Sequence, residues 1–181
     1  MSKYLGLYRN AVVKIGGWIF VHGAITSYIA QRYTLDDINS CVRRWLKGDE
    51  CDIVENGIND IYHNDDDSAS PFWSRIFSDP EEFGDVSNGY KTEFYRTLTM
   101  LNKKNNRTSG DKIRGMIMGH SPQFMYGKGI NSECNDCLWR VDIGMSRAFG
   151  ELNKCNQEYN NRKVQVLLIE NDNKFTILKE R

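Results

Sequence analysis

The chain has 181 residues, enough for one domain with a buried core, and its 24 basic side chains balance 24 acidic ones. That neutrality gives no global pull towards nucleic acid or a membrane surface. No apolar run reaches the ~18 residues that span a bilayer, and Met1 to Asn10 lacks the apolar centre of a signal peptide, so the expectation is a soluble, cytoplasmic protein with neither a nucleic-acid nor a membrane partner.

The first strong element is Ala11 to Ala24, AVVKIGGWIFVHGA. Two β-rich runs, Val12 to Ile15 and Trp18 to Val21, are split by Gly16-Gly17 and read as a hairpin. The second run is almost wholly apolar, as in a strand covered on both faces. It stops at His22-Gly23, which places an imidazole at the C-terminal tip of a buried strand, where α/β sheets favour ligand sites. Thr34 is suited to cap a helix with Ile38, Val42, Trp45 and Leu46 on one face and Gly48 at its end. A weaker helix is expected from Asp52 to Tyr62, and the acidic run from Asn64 to Ser70 reads as a solvated loop.

Ser70 to Arg75, SPFWSR, breaks that polarity with two aromatics and an arginine. Tyr90, Phe94, Leu98 and Leu101 then mark a helix from about Tyr90 to Lys103. Ile113 to Met118 is a short apolar strand that ends in Gly119-His120-Ser121-Pro122, and Leu138 to Ile143 is another. Between them Cys134 and Cys137 form a C-x-x-C, compatible with a redox pair or half a zinc ribbon, but Asn135-Asp136 favours a plain hairpin turn. Five cysteines, an odd number without a secretory signal, argue against a disulfide framework. The C-terminal hairpin pairs Val164 to Ile169 with Phe175 to Leu178 through Asn171-Asp172-Asn173.

Two of the three histidines thus close apolar strands in the same way, each beside a small residue. Neutral imidazole is a good ligand for zinc, iron and related metals. His63 sits in a polar stretch and carries no such signal.

Three segments appear in a familiar order: Asn10 to Ile25, Ser70 to Arg75, and Arg114 to Gly150 with GHSPQ, GIN and WRVDIGMS. Together they resemble the phosphoprotein phosphatases among the calcineurin-like metallophosphoesterases, in particular the bacterial-like, Shewanella-like branch. The resemblance implies an α/β fold, the C-terminal half of a four-layer αββα sandwich, with residues 1–181 as a partial domain. It implies that His22 and His120 ligate the second metal of a manganese, iron or zinc pair. In the family such metals, about 3.5–4 Å apart, activate a bridging water for in-line attack on phosphate. Arg75, with Gly23 nearby, becomes the candidate for holding the phosphoryl group. Arg140 and Arg147 are read as structural. The family's HGG is His22-Gly23-Ala24 here, which sets a methyl group beside a ligand, and its GHTP has Ser121 for threonine.

The family's opening motifs, GDxHG, GDxxDRG and GNHE, have no counterpart: Gly48-Asp49, Gly84-Asp85 and Gly110-Asp111 continue differently, and Asn-His does not occur. The matching strand begins within ten residues of Met1, so the first half is expected on a separate chain or lost. Alone, the chain supplies ligands for one metal and is expected to be a weak or inactive phosphatase with an uncovered apolar face. The substrate implied is a phosphorylated protein or small phosphoester. Alternatives are an inactive pseudophosphatase fragment that acts as a binding module, and a relative of the dinucleoside-polyphosphate hydrolases.

Overall fold

A computed structural model describes residues 1–49, 52–62, 69–79, 89–149 and 162–180. His63, the aspartates of the acidic run and Gly84-Asp85 lie outside the described residues. The fold is mixed α/β, built on a mixed five-stranded sheet with strand order β1-β2-β3-β5-β4. Its strands are β1 (Val12–Ile15), β2 (Trp18–Val21), β3 (Gly115–Met118), β4 (Asn131–Glu133) and β5 (Leu138–Arg140). β1 and β2 form the expected hairpin, with Gly16 at φ +57° in its turn, a backbone angle glycine adopts without a Cβ clash. β2, β3 and β5 run parallel, with Val21, Met118 and Arg140 in register at their C-terminal ends.

The helices are α1 (Ser2–Tyr8), α2 (Ser27–Arg32), α3 (Leu35–Lys47), α4 (Asp52–Ile61) and α5 (Gly89–Lys104). α3 begins in a reciprocal capping box, with the Thr34 hydroxyl accepting from Asp37 N–H and the Asp37 carboxylate accepting from Thr34 N–H. It ends at Gly48 in the left-handed conformation, as its sequence predicts.

Alternation along the strands splits the core in two. Val12, Ile19, Val21, Met116, Met118 and Leu138 face the helices and pack with Ile38, Phe77, Phe94 and Leu101. Trp18, Ile117 and Trp139 point to the other face. There they meet a second, two-stranded sheet made of β6 (Gln165–Glu170) and β7 (Lys174–Lys179). Phe175 lies between Trp18 and Trp139, with its ring centre 4.9 Å from each. The turn of this hairpin is tied down as well, because the Asp172 carboxylate accepts from Gly17 N–H and pairs with Arg114, and its carbonyl accepts from the Trp18 indole.

The hairpin therefore covers much of the face expected to be bare. Among the described residues, exposed apolar side chains include Val164, Val166, Leu168 and Leu178 on the outer side of the hairpin and Ile15 on the β1 edge. The C-x-x-C segment forms the β4–β5 turn, and Cys134 and Cys137 are both free thiols.

Candidate functional site

The three parallel strands deliver three polar residues to one end of the sheet. His22 directly follows β2, His120 follows β3 by two residues, and Asp142 follows β5 by two. Gly119 N–H donates to the His22 carbonyl at 3.0 Å, which ties the two strand exits together. His120 Nδ1 and His22 Nε2 are 3.0 Å apart, so the spacing of two strand tips 98 residues apart in sequence closes to hydrogen-bond distance.

His120 has φ +69°, in the left-handed region. For a residue with a Cβ that costs on the order of 1–2 kcal/mol, and such strain concentrates at functional positions. Burial holds the His120 imidazole below its ordinary value, helped by its neighbour His22 and by the Arg75 guanidinium; a hydrogen bond with the Trp73 backbone and the Asp142 carboxylate pull the other way. The neutral ring is the form that ligates a metal.

That direction fixes a pH dependence. Above the usual imidazole value of about 6.5 the ring is neutral in both folded and unfolded chains and carries no penalty. As pH falls through that value the unfolded chain takes up the proton first, and stability is lost until the depressed folded value is passed. Thermal midpoints measured from pH 7.5 to 5 are expected to fall more steeply for the parent chain than for His120→Asn.

Arg75 is brought to the same place by the Ser70–Asp79 segment. Trp73 and Ser74 N–H groups both donate to the Ser70 carbonyl, and Ser78 and Asp79 N–H groups donate to the Arg75 carbonyl. The Ser70 hydroxyl donates to the Ile61 carbonyl at 2.7 Å and the Trp73 indole to the Tyr62 carbonyl at 3.1 Å, which anchors the segment to the end of α4. Trp73 is partly exposed, with its ring centre 5.9 Å from that of His120. Arg75 is exposed to solvent.

Gly23 is buried under this turn. Its N–H donates to the Pro71 carbonyl at 2.8 Å, and a Cβ there would lie 2.9 Å from Pro71 O and 3.0 Å from Ser74 O. Its contact is thus with the backbone that carries Arg75. The methyl group of Ala24, expected beside a ligand, is fully buried in the helix-side core. The chain has left β2 at Val21 and bends at His22-Gly23, so strict alternation no longer sets the direction of Ala24.

Arg140 is buried and structural, as read from the sequence. Its Nε donates to the Phe77 carbonyl at 2.6 Å, its Nη1 donates to Asn131 Oδ1 at 3.1 Å, and it pairs with Glu133 at 3.4 Å. The backbone of Arg147 lies in a short 3-10 turn. Sequence reasoning missed Arg162, a buried arginine whose Nε donates to the Gly144 carbonyl and Nη2 to the Ser146 carbonyl, both at 2.9 Å, holding the loop that follows β5. No motif flags it, because a main-chain carbonyl as partner leaves no mark in the sequence.

The pair suits a divalent metal in one respect. Two imidazole nitrogens each about 2.05 Å from one ion stand about 2.9 Å apart at a right angle and about 3.4 Å apart at the tetrahedral angle, and the observed 3.0 Å lies within that span. Among the described residues, no group of three or more His, Cys, Asp and Glu side chains is placed to hold a metal. The donor set in view is therefore two nitrogens.

A mixed α/β chain with paired imidazoles, an adjacent arginine and an indole at the ends of parallel strands is the class the fold and site define. Among known proteins, the chain is similar to Shewanella-like protein phosphatase 2 of Arabidopsis thaliana, with 30% identity over 139 residues that cover 77% of this chain. The match spans 30% of the length of that protein. No protein-family profile and no solved structure matches the chain. The likeness supports a phosphatase family.

Proposed function

We propose that this chain is the C-terminal part of a two-metal phosphoesterase of the protein-phosphatase type, in which His22 and His120 ligate one divalent metal and Arg75 holds the phosphate. The observation that carries the reading is the His22–His120 pair, 3.0 Å apart at adjacent strand ends beside Arg75. Its agreement with the relative's name supports the class of reaction.

A bound metal pair lowers the pKa of water and offsets charge on the phosphate. The chain's own part is to present two neutral nitrogens from a rigid sheet and to aim a guanidinium at the phosphoryl oxygens, where paired N–H donors match their geometry. The left-handed turn at His120 and its bond through Gly119 to the His22 carbonyl fix both rings before any ligand arrives. The remaining metal ligands and the acid that protonates the leaving group come from a complementary segment bearing the GDxHG, GDxxDRG and GNHE motifs, completing the αββα sandwich. The substrate is a phosphorylated protein or small phosphoester, and the metals are manganese, iron or zinc.

Mixing the chain with a separately produced segment carrying those motifs, in manganese, is expected to generate p-nitrophenyl phosphate hydrolysis that neither piece shows alone. A folded, stable complex with no turnover would sink the proposal. The exposed outer face of the β6–β7 hairpin favours a second reading, an inactive fragment that binds another protein through Val164, Val166, Leu168 and Leu178. That reading predicts a stable complex with no gain of activity in the same experiment.

A further inference from the structure

We propose that Gln123 is the positioning residue of the two-histidine pocket, through a buried amide that fixes the His120 loop against the turn carrying Trp73 and Arg75. Gln123 is 1% exposed and lies in the 3-10 turn just after Pro122. An uncharged amide is seldom buried so fully unless its hydrogen-bonding groups are matched, since each unmet group costs about 1–3 kcal/mol. Here the matching is complete in kind. Nε2 donates to the Ser78 carbonyl at 3.1 Å and to the Ser121 carbonyl at 2.9 Å, and Oε1 accepts from Asn131 Nδ2 at 2.9 Å. The backbone N–H of Gln123 donates to the Asp142 carbonyl at 2.8 Å.

One residue therefore joins four segments: the turn three residues beyond Arg75, the loop one residue beyond His120, the strand β4, and the exit of β5 at Asp142. A second tie lies alongside, for the Ser78 and Ser121 hydroxyls are 2.7 Å apart and buried. Arg140 continues the bracket through Asn131 and the Phe77 carbonyl. The Gln123 and Ser78–Ser121 bonds hold the two backbones, at Ser78 and Ser121, that lie three residues past Arg75 and one past His120. The neighbouring Ser74 and Phe77 are buried and make the turn rigid enough to transmit a displacement.

The inference rests on reading His22 and His120 as ligands, and two measurements keep the two ideas apart. In the metal-free chain, Gln123→Met, close in volume but without an amide, is expected to lose the His22–His120 and Trp73–His120 ring contacts seen as NMR cross-peaks. Zinc titrated into the parent chain is expected to move both histidine ring signals, and Gln123→Met is expected to weaken that binding about tenfold, the scale of losses when groups that orient a ligand are removed. Ring contacts that persist unchanged in a folded Gln123→Met, whatever its melting temperature, overturn the positioning role and leave a merely structural one. Parent ring signals indifferent to zinc overturn the ligand reading, while the ring contacts still decide the role of Gln123. If Gln123→Met does not fold, Asn131→Ala, which removes the donor that orients Gln123 Oε1, is expected to weaken the same cross-peaks, and intact cross-peaks there overturn the proposal.

Discussion

In the reconstituted two-part enzyme, His120→Asn is expected to lower kcat/KM for p-nitrophenyl phosphate at least about a hundredfold, with the fold and the complex intact. Asparagine suits the test because it tolerates the left-handed backbone that His120 adopts at φ +69°. The substitution then removes the imidazole without forcing the Gly119–Pro122 loop to rearrange. Groups that only orient a metal ligand already contribute 10- to 100-fold, so loss of a ligand belongs at or beyond the upper end of that range. Circular dichroism and manganese content measured beside the kinetics separate a lost ligand from a lost fold. A variant that keeps more than about a tenth of the parent rate, with bound metal unchanged, rules out His120 as a ligand.

Phe77→Ala is expected to be the most damaging single change for stability, by about 3–5 kcal/mol in denaturant unfolding. Phe77 is fully buried, with its ring centre 5.5 Å from that of Phe94 in an edge-on contact. Removing the ring empties the space between the Ser70–Asp79 turn and α5. The Phe77 carbonyl also receives the Arg140 Nε bond, so a slackened turn leaves a second nitrogen of this buried guanidinium unmet beside Nη2. The midpoint in urea should shift with little change in slope, as for a loss of native packing. A loss below about 1 kcal/mol would mean that the turn collapses into the vacated space, and that it does not rigidly position Arg75.

Much of the fold was legible because local signals and tertiary demands agree. Gly16-Gly17 between two apolar runs gave the first hairpin, and Thr34 with Asp37 and Gly48 bounded α3 at both ends. The strand expected from Leu138 to Ile143 is shorter, because pairing stops at Arg140; the Asp142 side chain turns back onto Gly144 N–H and its carbonyl is taken by Gln123. Likewise Ile113 is drawn out of β3 by the Asn102 side chain, which bonds both its N–H and its carbonyl. β4 carries no signal in the sequence, being the polar Asn-Ser-Glu without alternation, and forms because β5 offers an edge.

The site divides in the same way. His22 and His120 were legible because each ends an apolar strand, and that rule says nothing of distance. Their convergence depends on β2 and β3 being parallel neighbours, which no local pattern encodes. Gly23 packs against the backbone of the Pro71–Ser74 turn next to Arg75, a contact between distant segments that no local pattern encodes. The polar bracket around Gln123 was invisible, since its partners are carbonyls and an asparagine supplied by four separate segments.

The β2–β3 pairing also has a kinetic consequence. Trp18 pairs with Gly115 and Val21 with Met118, so the whole span containing α2 to α5 must be looped out before the first parallel contact forms. Closing such a loop is entropically unfavourable and comes before the contacts that reward it, which slows chains rich in distant pairings. The His22–His120 contact cannot precede that step. A probe on the two rings would therefore report when β2 and β3 have paired.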